Sequence, residues 1–316
     1  MKAYFPASKK ALDNLTEMYD LMWAMTAALW NMRCNVKGFL AEAPDASESL
    51  LNQRFASGCE GIKLNFKASI IAQTWEQNKE GIAWYMLGSL CSIFESWLAN
   101  MRNEHFSKMC DKKMQFPNSA KKEIQKLLVK HPKWIEKTIY TSYATHKKID
   151  FSKLDNMLYC YRVFKEMRNC YMHNGCIPTN EACQAYNEYT KYVQANGDLN
   201  VKELPKMQPI ILGVKIKPIL RGVVGLSQIL ISIILTVDAE LIKTNEAVSL
   251  FNDTVSNSNL FRKMTLSPDA SKACRQIKKV LRNCGLKEVV QNEELVLRHV
   301  KSLPKNTRPS SISAIK

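Results

Sequence analysis

The sequence is poor in glycine and proline, with 11 of each among 316 residues. Disordered, low-complexity and fibrous chains usually contain more of one or both. Hydrophobic residues make up 46% of the chain, which at this length is enough to build one large domain or two modest ones around a buried core. The sequence also has no internal repeat. These absences favour an ordinary globular protein.

The ten cysteines include no Cys-x-x-Cys pair and no spacing typical of zinc ligands. Cys176 and Cys183, which have a histidine nearby, also lack a recognised ligand spacing. We therefore expect no metal and no other cofactor. We also expect no export signal, because Glu17 and Asp20 interrupt the apolar stretch 15–29. Reduced cysteines without an export signal indicate a cytoplasmic protein.

A long uninterrupted hydrophobic run is also lacking. The most apolar segment, 222–237, is sixteen residues long and contains Ser227, Gln228 and Ser232. A membrane-spanning helix needs about 20 consecutive apolar residues. The segment therefore favours a buried helix over a membrane span, and no contact with a membrane is expected.

Positive charge is abundant and concentrated. The net charge is +16, and residues 106–150 carry eleven lysines against four acids. Residues 262–308 carry twelve lysines and arginines, again against four acids, so the two segments hold nearly all of the excess. Such concentration points to a polyanionic partner, with nucleic acid first and anionic lipid second. A generally basic, soluble surface is the alternative.

The spacing of apolar residues is predominantly helical, and we predict an all-α fold. The predicted helices cover 9–32 (with Ser8 as N-cap), 68–75, 82–101, 152–173, 181–194, 223–243, 269–283 and 288–302. Short apolar runs around Gly213, within 210–216, predict a small β-hairpin, and 252–259 read as a linker.

We predict three parts of the chain. N-terminal helices in 1–78 pack on a core, 79–250 forms that core with a Lys-rich insertion at 106–150, and 251–316 holds a linker and basic C-terminal helices.

The predicted helix 152–173 carries the most informative motif. Arg168 and His173 are five positions apart, Asn169 follows the arginine, and Asn174-Gly175 form a helix stop signal. Arg168 falls on the apolar stripe of Leu154, Met157, Tyr161, Phe164 and Tyr171, where it needs a carboxylate or phosphate. The opposite edge is polar and consists of Arg162, Glu166, Asn169 and His173.

These residue types suit the chemistry of RNA cleavage. An arginine can hold a phosphodiester with a planar fork of donors, and a histidine can carry a proton near neutral pH. RNA supplies its own nucleophile in the 2′-hydroxyl, so the two groups suffice without a metal. Five positions correspond to about 140° around an ideal helix. One helix therefore does not direct Arg168 and His173 to one point unless its end is distorted, and pairing of two copies would bring them together.

The motif resembles that of the HEPN superfamily, a group of helical ribonucleases and RNA-binding domains found in toxin–antitoxin, abortive-infection and other anti-phage systems. Arg168, Asn169 and His173 match its signature in order and spacing. The run 90–98 (LCSIFESWL) is similar to the family's other core helix, and the resemblance covers about 80–245. It implies an antiparallel helical bundle in which Glu95 is the partner of Arg168. Pairing of Glu95 with Arg102 on its own helix is the alternative.

The resemblance further implies a metal-independent endoribonuclease acting as a homodimer, with RNA as substrate and an antitoxin or other defence protein as a further partner. His173 would carry the proton, Arg168 would stabilise the phosphate, and Asn169 would orient either of them. Glu166, Glu95 and Arg102 would support them.

The two basic segments supply the candidate RNA-binding residues. These are Lys112, Lys113, Lys121, Lys122, Trp134, Lys278, Lys279 and Arg282. Phe116, Trp134, Tyr140 and Tyr143 lie among the lysines of the insertion, a pattern that suits single-stranded RNA. The alternative is that these aromatic residues anchor the insertion to the core.

Two other functions compete with a defence ribonuclease. The first is a non-catalytic HEPN module that binds RNA or a protein partner. The second is a metal nuclease or a DNA-binding regulator, for which the sequence offers no cluster of acidic residues and histidines.

Overall fold

The computed structural model describes residues 3–58, 63–129, 132–145, 149–195, 199, 201, 204–289 and 291–304. The helices within these ranges are α1 (Pro6–Glu42), α2 (Glu48–Phe55), α3 (Trp75–Glu104), α4 (Ser119–Leu127), α5 (Lys133–Ile135), α6 (Thr141–Ala144), α7 (Leu154–His173), α8 (Asn180–Tyr189), α9 (Leu220–Leu241), α10 (Asn245–Ser256), α11 (Asn259–Lys263), α12 (Ala270–Asn283) and α13 (Glu293–Lys301). No strand occurs in the described ranges, so the predicted all-α class is confirmed.

Short helical segments of other kinds complete the architecture. Turns of π-helix cover Lys67–Ala72, Glu136–Tyr140 and Thr190–Gln194, and turns of 3-10 helix cover Lys113–Gln115 and Phe151–Lys153. The second π-helical turn joins α5 to α6, and the third extends α8.

Helices α3, α7 and α9 form the centre of the molecule. Helix α7 packs against α3, α8 and α9, while α1 lies along α3. The central core contains large side chains that are almost completely buried, among them Phe94, Trp97, Tyr161 and Phe164. A smaller apolar cluster around Val36, Leu51 and Phe66 joins the far end of α1 to α2.

The second half of the insertion packs against the C-terminal helices. The ring of Trp134 stacks on His299 of α13 with centroids 4.1 Å apart. The backbone N–H of Lys287 donates to the Tyr143 hydroxyl over 3.1 Å, and the Asn292 amide donates to the Lys137 carbonyl over 3.0 Å. The two basic segments of the sequence are thus neighbours in the fold.

Two of the predicted segment boundaries fall inside helices. Position 78/79 lies within α3, and position 250/251 lies within α10. The main core draws buried residues from all three predicted parts, for example Tyr4, Leu87 and Val296.

Helix α9 confirms the prediction of a buried helix at the most apolar segment. Both α3 and α9 are long and apolar enough to cross a membrane by length and composition. Inside the protein, 67% of the most apolar window of α9 is buried, and 50% of that of α3. The helices of a protein core show the same burial, and they pass the same test of length and composition.

The predicted β-hairpin at 210–216 is wrong. The segment forms a turn with Gly213 at φ +78°, closed by the Val214 N–H donating to the Ile211 carbonyl over 3.0 Å. Beyond the turn, the Ile216 N–H donates instead to the Cys176 carbonyl over 2.9 Å. Beyond the bond that closes the turn, the backbone of this segment therefore pairs with the loop after α7 and not with a second strand of its own.

Two other local predictions are also wrong. Ser8 is not an N-cap, because α1 already begins at Pro6, a residue suited to the first helical turn. Instead, Ser8 is buried and its hydroxyl accepts a hydrogen bond of 3.0 Å from the Trp97 indole. The predicted linker 252–259 contains the end of α10 and the start of α11, whose N-cap Ser258 accepts from the Phe261 N–H.

Candidate active site

Helix α7 ends as its sequence predicts. The helix runs to His173, and Gly175 takes the left-handed conformation with φ +55°. The N–H groups of Asn174 and Cys176 both donate to the Cys170 carbonyl, over 2.9 and 3.0 Å, and the Asn174 side chain donates to the Ile177 carbonyl. These bonds fix the last turn of the helix, on which His173 lies.

Arg168 lies against α3, where it contacts Glu95. A guanidinium nitrogen of Arg168 is 2.8 Å from Oε1 of Glu95, so the predicted contact is present. The ammonium of Lys165 lies 3.1 Å from the same oxygen. One carboxylate thus contacts two cations, and the group of three retains a net positive charge that can attract a phosphate.

The surroundings of Arg168 are apolar on the core side. Burial raises the pKa of the Cys91 thiol to about 12, even though the nearby Arg168 opposes that shift. Burial also raises the pKa of the Tyr161 hydroxyl, which finds no hydrogen-bond partner among the described residues. For Arg168 itself, burial would lower the pKa, but Glu95, Cys91 and Tyr161 together outweigh burial and the pKa is raised. The guanidinium is therefore held as a permanent cation.

Glu166 organises the polar edge of α7. Its side chain is buried, and its carboxylate accepts from the Arg162 guanidinium over 2.7 Å and from the Asn169 amide over 3.1 Å. The guanidinium of Arg162 also lies over the Phe116 ring, 4.2 Å from its centroid. The amide of Asn169 is consequently held in one orientation on the edge that ends at His173.

His173 is exposed at the end of this edge. No hydrogen bond or ion pair of its imidazole is found among the residues that the structure describes. Since α7 is a regular helix from Leu154 to His173, the side chains of Arg168 and His173 diverge by about 140°. Within one chain they occupy different faces of α7.

The remaining supporting residue, Arg102, lies outside this cluster. Its guanidinium is 3.2 Å from Oδ2 of Asp111, so the alternative pairing of Arg102 with Glu95 is not observed.

Tyr171 also departs from the predicted buried stripe, because 40% of its side chain is exposed. Its ring stacks on Trp84 of α3 with centroids 4.5 Å apart.

The candidate RNA-binding residues divide into two groups. Four of them have exposed side chains and no ion pair among the described residues: Lys112, Lys113, Lys122 and Lys279. The others already have protein partners: Lys121 contacts Asp155, Lys278 contacts Glu293, Arg282 contacts Glu288, and Trp134 stacks on His299.

The aromatic residues of the insertion act mainly as anchors. Tyr143 is buried, the Tyr140 hydroxyl donates to Glu240 over 2.8 Å, and Phe116 is covered on one face by Arg162. The structure thus favours the second interpretation of the aromatic pattern, in which these rings attach the insertion to the core.

Sequence reasoning missed Lys165, Cys91 and Tyr161 as neighbours of Arg168 and Glu95. Lys165 precedes Arg168 by three positions, a spacing that places both on one face of a helix and could have indicated their shared partner. Among the described residues, no group of three or more histidine, cysteine or acidic side chains is arranged to hold a metal ion.

Comparison with known proteins gives no relative. No family model matches the chain, and neither a curated protein nor a solved structure is significantly similar to it.

Proposed function

We propose that this chain is a metal-independent endoribonuclease of the HEPN type, acting in the cytoplasm as part of a toxin or anti-phage (abortive-infection) system. The observation that carries the proposal is the arrangement of Arg168, Asn169 and His173 at the end of α7. The contact of Glu95 with Arg168 across the α3–α7 interface adds support, as does the helical bundle that contains them.

Arg168 binds the phosphate of the scissile bond in this proposal. Its guanidinium shares Glu95 with Lys165, so the local charge remains positive when the substrate arrives. The charge that develops on the phosphate oxygens during the reaction is stabilised by the donors of Arg168. The amide of Asn169, oriented by Glu166, helps to position the phosphate or the imidazole.

His173 carries the proton. The 2′-hydroxyl oxygen attacks the adjacent phosphorus while the bond from phosphorus to the 5′-oxygen breaks. The proton lost by the 2′-hydroxyl and the proton gained by the leaving 5′-oxygen pass through imidazole or water. The products are a 2′,3′-cyclic phosphate and a 5′-hydroxyl, and no metal or other cofactor takes part.

A homodimer completes the site. Because Arg168 and His173 lie on different faces of one regular helix, we propose that a two-fold axis brings the α7 ends of two copies to a common cleft. Each scissile phosphate then meets Arg168 of one chain and His173 of the other. The exposed lysines of the two basic segments attract the rest of the RNA.

Substitution at His173 tests the catalytic role. We expect His173→Ala and His173→Gln to reduce RNA cleavage by at least about a hundredfold, since general acid–base catalysis contributes that much. Met172 is the matched control, because it lies on the same turn with 60% of its side chain exposed. Met172→Ala should cleave RNA at nearly the wild-type rate. Full cleavage by either His173 variant, with unchanged thermal unfolding, would refute the proposal.

A non-catalytic HEPN module that binds RNA or a protein partner is the second candidate. The observation in its favour is that Arg168 is already engaged by Glu95. This candidate predicts RNA binding that weakens with salt, without any product, in wild type and His173 variants alike.

A further inference from the structure

A cavity of about 690 Å³ opens between the first half of α1, the start of α3 and the segment that leads into α9. This volume lies within the range of about 300–1,000 Å³ that is usual for small-molecule sites. Two tryptophans line it, Trp23 from α1 and Trp75 from α3. They offer flat apolar surfaces of the kind on which a nucleobase stacks.

Trp75 is held firmly in place. It is the first residue of α3, directly after Thr74, whose side chain and backbone form a reciprocal capping box with Gln77. Its ring also contacts Trp30 edge to face, with centroids 4.8 Å apart. Trp23, by contrast, keeps 44% of its side chain exposed and can adjust to an occupant.

Charged side chains lie around the two rings. Glu76, Lys79, Glu80, Lys217 and Arg221 all line the cavity. Glu76 and Lys79 form an ion pair of 2.7 Å, and Lys217 and Glu80 add a further cation and a further carboxylate to the lining. The cations suit a phosphate, and a carboxylate such as Glu80 suits the hydroxyls of a ribose.

We infer that this cavity binds a nucleotide, with its base against the tryptophans, its ribose near Glu80 and its phosphate near Lys217. The nucleotide is either a free mononucleotide or one unit of a single-stranded RNA. A purely apolar ligand would form no hydrogen bond or ion pair with these charged side chains. A nucleotide contacts the tryptophan rings, the carboxylate and the cationic side chains together.

The cavity lies at the same end of the bundle as His173. Trp84 of α3 stacks on Tyr171 of α7, and Glu80 is one turn before Trp84. The segment that carries Lys217 is bonded to the loop after α7, through the Ile216 N–H and the Cys176 carbonyl. An RNA strand that reaches His173 therefore passes near the cavity, although the nucleotide site does not depend on cleavage.

Titration calorimetry of the full chain with two probes tests the inference. The probes are adenosine 5′-monophosphate and a short single-stranded RNA with 2′-O-methyl riboses, which cannot be cleaved by attack of the 2′-oxygen. We expect Trp75→Ala and Lys217→Glu each to weaken binding of the true ligand by about tenfold or more. Lys215→Glu is the matched control, exposed on the same segment but outside the cavity, and should bind as wild type does.

The outcomes distinguish a free nucleotide from one unit of an RNA strand, and they distinguish the nucleotide site from the proposed RNA cleavage. Binding of the mononucleotide indicates a free ligand, while binding of the RNA alone indicates a unit of a strand. Adenosine, used as an additional probe, has no phosphate. Its binding should therefore be weakened by Trp75→Ala but not by Lys217→Glu. The inference is overturned if neither probe binds, or if Lys217→Glu binds both as tightly as Lys215→Glu does. His173→Ala must retain binding, so loss of cleavage alone leaves this site standing.

Discussion

Glu95 is the side chain that holds the candidate site together, because its carboxylate contacts both Lys165 and Arg168. We expect Glu95→Gln to lower the free energy of unfolding by about 1 kcal/mol, since the three side chains stay 17–33% exposed and solvent screens their attraction. Cleavage should fall as well, because Arg168 loses the carboxylate that orients it. Denaturant unfolding and cleavage rates measure the two effects.

Glu76→Gln provides the control for Glu95→Gln. Glu76 forms an ion pair with Lys79 of the same helix, and 80% of its side chain is exposed. Its loss should therefore change stability by less than about 0.5 kcal/mol. Equal effects of the two substitutions on stability would show that the Glu95 cluster is no more than a surface ion pair.

Asp238 gives the protein a pH-dependent stability. It lies in α9, fully buried, and accepts from the backbone N–H groups of Tyr4 and Phe5 over 2.6 and 3.1 Å. Burial raises its pKa from 3.8 to about 6, although these hydrogen bonds oppose the shift. An acid whose pKa is higher in the folded state stabilises the fold below the unfolded pKa and loses that contribution as pH rises through the folded pKa.

The contribution of Asp238 should therefore decline by about 3 kcal/mol between pH 4 and pH 7. We expect the free energy of unfolding of wild type, relative to that of Asp238→Asn, to fall over this window and to level off above it. Urea unfolding at a series of pH values measures the difference. A difference that is constant with pH, or that grows with pH, would contradict the assigned environment of Asp238.

Close approach of the chain to α9 depends on Gly222. A Cβ atom at this position would lie 1.7 Å from the Lys206 carbonyl oxygen, so the backbone itself would have to move. We expect Gly222→Ala to destabilise the protein by about 1–3 kcal/mol or more. Gly88 of α3 is the matched helical control, because nothing lies within 4 Å of its added Cβ.

Gly88→Ala should stabilise the protein by about 0.5–1 kcal/mol, as expected for alanine replacing glycine inside a helix. Thermal unfolding of both variants gives the comparison. A neutral or stabilising Gly222→Ala would show that the segment before α9 does not pack as described.

Prediction from sequence succeeded for helices whose signals are local. The end of α7 follows from Asn174-Gly175, and the need of Arg168 for a carboxylate or phosphate follows from the cost of an arginine on an apolar stripe. The choice of Glu95 as that carboxylate comes from the resemblance to the HEPN superfamily, and the contact is present. Prediction from sequence was wrong where a contact with a residue far away in the sequence determines the local structure. The turn at Gly213 is followed by a bond to Cys176, and Ser8 is buried against Trp97.

The cavity beside α3 could not have been predicted from sequence for the same reason. Its walls come from three separate stretches of chain, represented by Trp23, Trp75 and Lys217. No local spacing connects them. Only the packing of α1 along α3, and of the segment before α9 beside both, brings them together.

The two basic segments lie side by side in the whole molecule, and in the proposed function one chain is incomplete as a catalyst by itself. If each site combines Arg168 of one chain with His173 of another, a mixture of Arg168→Ala and His173→Ala proteins should regain activity. A mixed dimer has one intact site, so an equal, fully exchanged mixture should reach about a quarter of the wild-type cleavage rate.

Each variant alone should be inactive in the same assay. Exchange of subunits is ensured by refolding the two variants together, and light scattering establishes the dimer. If exchanged dimers form but remain inactive, Arg168 and His173 do not act across a two-fold axis.

The chemistry of the cut ends tests the central claim most directly. Purified protein is incubated with total RNA in EDTA, and the ends of the fragments are analysed beside those from a reaction with His173→Ala. We expect fragments with 2′,3′-cyclic phosphate and 5′-hydroxyl ends from wild type, and none from the variant. Intact RNA with a folded wild-type dimer, fragments with 3′-hydroxyl ends, or equal cleavage by His173→Ala would contradict that claim.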